Sequence, residues 1–282
     1  MLKVMENVEE TVRTPDGIGL WTWRKSAATP RAETIIVHGF GEHSGRYEAL
    51  TDCLNANQFS VTGYDHRGHG KSEGGRGHVE RFSDYEDDLA LIISRVASKP
   101  AGLPLFLIGH SMGGLITLRY LARNDPALRG AVVSAPLIAI AARVPPHKLM
   151  IGKVSATLMP RLTLNNEIDP SVLSRDGNVG LAYAADPLVH RVVSAKWFAE
   201  ATRAMEEIVR QAPAIAAPLL IMHGTEDKLA SYDATARLFP SIGSRDKEFV
   251  TYTCYYHELF NEPEKQDLFR KVTDLISSRL TA

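Results

Sequence analysis

Gly109-His110-Ser111-Met112-Gly113 sets a hydroxyl between two residues without side chains, where an apolar run, 105–108, meets an amphipathic helical pattern, 112–123. A serine at a sharp strand-to-helix turn must hold a strained backbone, and bulk at either glycine would meet neighbouring main chain. The chemistry such a turn permits is nucleophilic attack on an acyl carbon. A helix starting near Met112 also aims free amides and its positive end at the place where an oxyanion would form. A serine hydroxyl is a weak nucleophile near neutral pH, so a base must take its proton and an acid must orient that base. His257 follows the run 248–252 and precedes the last helical pattern, where the chain order Ser, acid, His puts the base. The acid then belongs after the preceding run, 219–222, where Glu226 and Asp227 are adjacent. Asp227 is preferred, because a short carboxylate on a tight loop has less rotamer freedom to lose. The earlier run 131–133 leads into Ser134-Ala135-Pro136-Leu137, with no carboxylate nearby.

An oxyanion needs a second donor besides the Met112 amide. The Gly-rich stretch His38-Gly39-Phe40-Gly41-Glu42-His43 follows an apolar run and can aim the Phe40 amide at the same point. His38 then reads as a residue that bonds the loop. His66 and His69 lack companions at metal-ligand spacing, so they read as loop structure and no metal site is expected.

The elements that must position these residues are short apolar runs, 34–37, 60–64, 105–108, 131–133, 219–222 and 248–252, each the pattern of a strand buried on both faces. Helical patterns at 83–98, 112–123, 232–238 and 263–280 separate them. Two further β-rich pieces, 8–13 and 18–25, flank the turn residues Pro15-Asp16-Gly17 and predict an edge hairpin. The alternation predicts an α/β fold with a mostly parallel central sheet flanked by helices. It breaks between about 136 and 213, where helical segments at 149–162 and 195–209 occur without comparable strands. Residues 1–136 and 211–282 are therefore expected to form the core, and 137–210 an inserted helical cap. Within it Leu149, Met150, Ile151, Val154, Leu158 and Met159 recur at near-helical spacing, a stripe suited to acyl chains and to transient contact with a membrane surface.

The chain has 282 residues, enough for one large domain, and a net charge of -1, which offers no field to attract nucleic acid. Cys53 and Cys254 lack CxxC spacing and read as reduced thiols. The N-terminal stretch mixes acids among its apolar residues, unlike a cleaved signal. The most apolar stretches, 131–142 and 212–222, are short and broken by prolines, so no membrane span is expected and the protein is expected to be cytoplasmic, at most peripheral to a membrane.

Three blocks, 38–47 (HGFGEHSGRY), 65–72 (DHRGHGKS) and 109–114 (GHSMGG), together resemble the monoacylglycerol lipase and lysophospholipase family of α/β-hydrolases. Ser171-Val172-Leu173-Ser174-Arg175 and Asp186-Pro187-Leu188-Val189 extend the resemblance into the expected cap. It implies a capped α/β-hydrolase acting without a cofactor on a monoacylglycerol, an ester of one long acyl chain with glycerol. It also implies Ser111, Asp227 and His257 as a catalytic triad, and the Phe40 and Met112 amides as oxyanion hole. Glu42, Arg46 and Tyr183 match a polar pocket that receives the glycerol hydroxyls. Two residues depart from the pattern: Phe260 stands where relatives can place a polar group, and Phe40 is bulkier than usual at its position. A broad carboxylesterase or a lysophospholipase would share the chemistry. A non-catalytic receptor that keeps the pocket would not need the intact Ser, Asp, His order.

Overall fold

The computed structural model describes residues 7–99, 102–123, 128–141 and 155–280. Its strands are β1 (Asn7–Arg13), β2 (Gly19–Lys25), β3 (Ala32–Val37), β4 (Phe59–Tyr64), β5 (Leu105–His110) and β6 (Gly130–Ser134), then the short β7 (Thr163–Asn165) and β8 (Val192–Ser194), and finally β9 (Leu219–Gly224) and β10 (Lys247–Tyr252). Eight of them form one sheet in the order β1-β2-β4-β3-β5-β6-β9-β10. The first hairpin is antiparallel, in register from Asn7 with Lys25 to Arg13 with Gly19, and β2 pairs antiparallel with β4. All later pairs are parallel.

Alternation along the buried strands divides the core in two. Ile35, Val37 and Leu107 join one cluster with residues of α2 (Ser83–Ala97) and α3 (Met112–Arg123), after α1 (Glu48–Ala56) in the chain. Ile36, Phe106 and Ile108 face the other way, against Leu50 and Leu54 of α1 and the helix that ends the chain. Successive side chains of a strand point to opposite faces, so continuous apolar runs demand helices on both sides.

Between β6 and β9, where helical segments without comparable strands are expected, a short two-stranded ladder also occurs. β7 and β8 pair antiparallel, Thr163 with Ser194 and Asn165 with Val192. The helices there are α4 (Gly177–Ala185) and α5 (Ala195–Gln211). Although α5 falls in the expected insertion, Trp197, Ala201, Ala204 and Ile208 pack into the cluster that holds α3. Arg119 of α3 ties three helices together, since its Nε donates to Glu86 of α2 at 2.5 Å and its Nη1 to Glu207 of α5 at 2.8 Å. Of the apolar stripe, Leu149, Met150, Ile151 and Val154 lie outside the described residues, whereas Leu158 and Met159 are exposed. After β9 come α6 (Tyr232–Leu238) and α7 (Lys265–Ser278), as the helical patterns predict. The helix α1 was not foreseen. No helix among the described residues is long and apolar enough to cross a membrane.

The parallel strands bring distant segments level at one edge. β3 leads into the Gly-rich loop, β5 into Ser111, β9 into Asp227 and β10 into His257, and Val37 pairs with Gly109 while Tyr252 pairs with Gly224. Two close approaches make this possible. A Cβ on Gly113 would sit 1.9 Å from the Val37 carbonyl oxygen, and one on Gly224 would sit 2.3 Å from that of Tyr255. The loops after β3 and β4 are stitched by imidazoles: His38 Nε2 accepts from the His66 amide at 2.9 Å, and its Nδ1–H donates to the Gly39 carbonyl at 2.7 Å. His38 thus bonds the loop, as expected from its place in the sequence. The rings of His66 and His69 lie tilted against it, 4.1 and 5.6 Å between centres, and His190 lies against His69 at 4.6 Å.

Two outcomes follow for stability. Gly113→Ala forces a methyl group onto backbone that has no side chain to yield, so it should lower stability by at least about 2 kcal/mol, read from urea unfolding. An unfolding midpoint equal to wild type would mean that α3 is not pressed against β3 as described. The second outcome concerns acid. Burial holds His38 and His190 at a pKa of about 4, and His110 at about 3, against 6.5 for a free imidazole. Between those values the unfolded chain binds the extra protons. Stability is therefore full above about pH 6.5 and falls as the pH drops towards 4, by on the order of 3 kcal/mol for His38 alone. His257 and Asp88, whose pKa values are raised, act in the opposite sense. The melting temperature should fall from pH 6.5 to 4, and a flat profile there would contradict this account.

Candidate active site

Ser111 sits at φ +54°, a left-handed conformation that a residue with a side chain adopts only under constraint. The constraint is hydrogen bonding on both sides of the turn. Its amide donates to the Ser134 carbonyl at 3.0 Å, and its own carbonyl accepts from Leu115 and Leu137 at 3.1 and 3.0 Å. Gly109 completes the turn, because a Cβ there would lie 2.7 Å from the Gly113 carbonyl oxygen. Strand, sharp turn and helix stand as the motif predicts.

Asp227 and His257 are brought together. The His257 Nδ1–H donates to Asp227 Oδ2 at 2.7 Å, which leaves Nε2 as the ring nitrogen able to accept a proton. Asp227 Oδ1 accepts from the amides of Leu229 and Ala230 at 2.8 and 2.9 Å. A second imidazole, His223 Nε2, reaches Oδ2 at 3.1 Å. Burial pushes the carboxyl pKa up, but His257 and His223 outweigh it and hold Asp227 well below the usual carboxylate range. Burial likewise lowers His257, and Asp227 outweighs that, leaving the imidazole above its ordinary value. Glu226, the alternative acid, is instead exposed and paired with Lys228. Among the described residues Ser111 Oγ makes no hydrogen bond of ordinary length. Catalytic hydrogen bonds are often long before substrate binds. The ring of His110, next to Ser111, lies 4.7 Å from the ring of His257.

The loop after β3 is organised by Glu42. Its Oε1 accepts from the Gly39 amide and from the Tyr47 hydroxyl, both at 2.7 Å, and its Oε2 accepts from Arg46 at 2.6 Å. Burial raises the Glu42 pKa, but Arg46, with His110 and His38, brings it down to about 2. Arg46 is held from its other side by Glu258, at 2.7 and 2.8 Å. Its guanidinium also lies 5.0 Å from the ring centre of Tyr183. Glu42, Arg46 and Tyr183 are therefore neighbours, as the resemblance implies. Tyr183 is buried, and among the described residues its hydroxyl has no partner; it lies 3.3 Å from where a Cβ on Gly41 would be. Among the described residues the Phe40 and Met112 amides donate to no protein group. Phe40 itself packs on Trp197, ring centres 3.9 Å apart.

Sequence reasoning missed three contributors. Glu258 stands directly after His257, and adjacency was its signal. His223 lies four residues before Asp227, at the end of the same strand. Asn166, whose side-chain nitrogen lies buried near Gly41 with no partner among the described residues, had no signal, because only the β7–β8 ladder carries it there. No group of three or more metal-ligating side chains occurs among the described residues.

Comparison with known proteins bears on this geometry. Residues 28–264 match the Hydrolase_4 family, described as serine aminopeptidase, S33. The monoacylglycerol lipase of Mycolicibacterium smegmatis is 34% identical over 89% of this chain and 90% of its own length. Phospholipase YtpA of Bacillus subtilis is 30% identical over 89% of this chain and 96% of its own. The crystal structure of Paleococcus ferrophilus monoacylglycerol lipase superposes with a TM-score of 0.83 at 33% identity, covering 98% of this chain and all of that one. A match that runs through the elbow, both carboxylate loops and the intervening insertion leaves no part of the site outside it. The chain accordingly belongs to the monoacylglycerol lipase and lysophospholipase family of α/β-hydrolases, and is a serine ester hydrolase.

Proposed function

We propose that the protein is a monoacylglycerol lipase, with Ser111, His257 and Asp227 as its triad and residues 137–210 as a cap over the acyl site. The observation that carries the chemistry is the 2.7 Å bond from His257 Nδ1 to the buried Asp227 carboxylate, beside a serine held at φ +54°. His257 Nε2 takes the Ser111 proton as Oγ attacks the ester carbonyl. The oxyanion of the tetrahedral intermediate is received by the Phe40 and Met112 amides. The intermediate collapses as the imidazolium protonates the leaving glycerol oxygen, giving an acyl-Ser111 ester. Water, deprotonated by the same nitrogen, attacks that ester, and Ser111 recovers its proton as the fatty acid leaves.

The head-group reading rests on charge. Arg46 is the cation of the polar pocket, and two buried carboxylates, Glu42 and Glu258, already pair with it. The trio carries a net negative charge. A phosphate there would meet carboxylates rather than a free guanidinium, which favours an uncharged polyol over the head group of a lysophospholipid. The Tyr183 hydroxyl, buried and unpartnered, is suited to a glycerol hydroxyl. Exposed Leu158, Met159 and Leu164 offer an apolar surface in keeping with a lipid substrate, a cap entrance and transient contact with a membrane surface.

The chemistry is tested by Ser111→Ala. The variant should fold but lose fluorophosphonate labelling and ester hydrolysis; retained turnover would remove the triad, and absent labelling in the wild type would favour a binding protein. The head group is tested by comparing a monoacylglycerol with its methyl ester and with its phosphorylated analogue. Like charges about 5 Å apart at an effective dielectric constant of about 20 repel by about 3 kcal/mol, so the phosphate should be disfavoured at least about tenfold. Tyr183→Phe should reduce the preference for glycerol over methyl ester by about two- to twelvefold, one neutral hydrogen bond. Equal rates on all three esters would place head-group recognition elsewhere.

A further inference from the structure

We propose that Arg175, in the insertion between β6 and β9, is a positioning residue for His257 and acts through Glu262. The block Ser171-Val172-Leu173-Ser174-Arg175 lies along the loop that carries His257 and is bonded to it repeatedly. The Glu258 amide donates to the Leu173 carbonyl at 2.7 Å, and the Ser174 hydroxyl donates to the Asn261 carbonyl at 2.9 Å. Arg175 Nε donates to Glu262 Oε2 at 2.8 Å, while its Nη2 pairs with Glu264. Its guanidinium covers the Tyr255 ring at 4.1 Å.

Glu262 relays the contact. Its side chain is completely buried, and its second oxygen accepts from the amide of Tyr256, the residue before His257, at 2.7 Å. The relay continues to the acid, since the Tyr255 carbonyl accepts from the Glu226 amide at 3.0 Å, next to Asp227. A buried carboxylate needs a paired charge and satisfied lone pairs to stay ionised in place. Arg175 supplies that charge from another part of the chain. Without it the buried Glu262 carboxylate has no paired charge and is drawn towards water, which loosens its hold on the Tyr256 amide and lets the imidazole turn away from Asp227.

The proposal rests on His257 being the base, and its test needs neither a glycerol ester nor a long acyl chain. Arg175→Gln is assayed with p-nitrophenyl acetate and a fluorophosphonate, with folding checked by circular dichroism. Both kcat and the labelling rate should fall about ten- to a hundredfold, as misplacement of a catalytic group does, with little change in KM. The acidic limb of the kcat profile should move to lower pH, because an imidazole loosened from Asp227 loses what raises its pKa. A purely structural role would lower the melting temperature and leave that limb in place. Arg175→Lys keeps the charge but not the planar fork, so it should show the same two changes at about three- to tenfold. Either variant, folded and with wild-type rate and limb, overturns the proposal; if Arg175→Gln fails to fold, Arg175→Lys decides. A His257→Ala control that still labels would instead overturn the base assignment itself.

Discussion

A carboxylate with no contact with water must be surrounded by donors, and Asp227 is the group about which the site is arranged for that reason. Its four partners come from His223 at the end of β9, from the amides of Leu229 and Ala230 in its own loop, and from His257 beyond β10. Remove any one and a buried charge is left short of a bond, a situation that typically costs a few kcal/mol. The parallel register of β9 with β10 is what makes the convergence possible, since it sets the two loops level. Gly224 lets them touch, because any side chain there would run into the Tyr255 carbonyl. The tautomer of His257 follows from this arrangement rather than from anything in the histidine itself.

Arg46 ties two loops together much as Asp227 ties the loops after β9 and β10. On one side it bonds Glu42, which fixes the Gly39 amide and with it the loop that carries Phe40. On the other it bonds Glu258, next to His257. One guanidinium therefore joins the loop that carries Phe40 to the loop that carries His257, 212 residues apart in the chain from Arg46 to Glu258. Its planar fork suits the task, because it can meet one carboxylate side-on and still donate to a second.

What could be read from the sequence, and what could not, divides by the range of the forces involved. Ser111 was readable because strand, glycines and helix are consecutive, and steric exclusion at Gly109 and Gly113 is local. His257 and Asp227 were readable because parallel strands put their following loops on one edge, so chain order stood in for space. The sheet was readable for a related reason, since burial on both faces writes a continuous apolar run. Glu258 and His223 were adjacent to named residues but carried no pattern of their own; their meaning lies in partners that only the fold brings near. The β7–β8 ladder is three residues on each side, with β7 fully exposed, so no alternation marks it. For α1 the opposite holds: its short apolar face was masked by the polar, turn-like residues that surround it.

Phe260 shows how a departure in sequence can be absorbed in structure. It stands where relatives can place a polar residue, and its ring is buried, 6.5 Å from the ring of Tyr47 and 6.4 Å from that of Phe269. Its neighbour two positions earlier takes the polar place. Glu258 lines a small cavity with Glu42, Tyr47, His110, Phe260 and Asn261, whose free volume of about 10 Å³ is close to what one water needs. Asn261 donates to Glu258 at 2.8 Å, so the carboxylate accepts three bonds, two from Arg46 and one from Asn261. A neutral donor there would carry no net charge, whereas a carboxylate pair around one cation leaves a net negative charge. The charge around Arg46 is thus a property of the trio it forms with Glu42 and Glu258 rather than of any single contact.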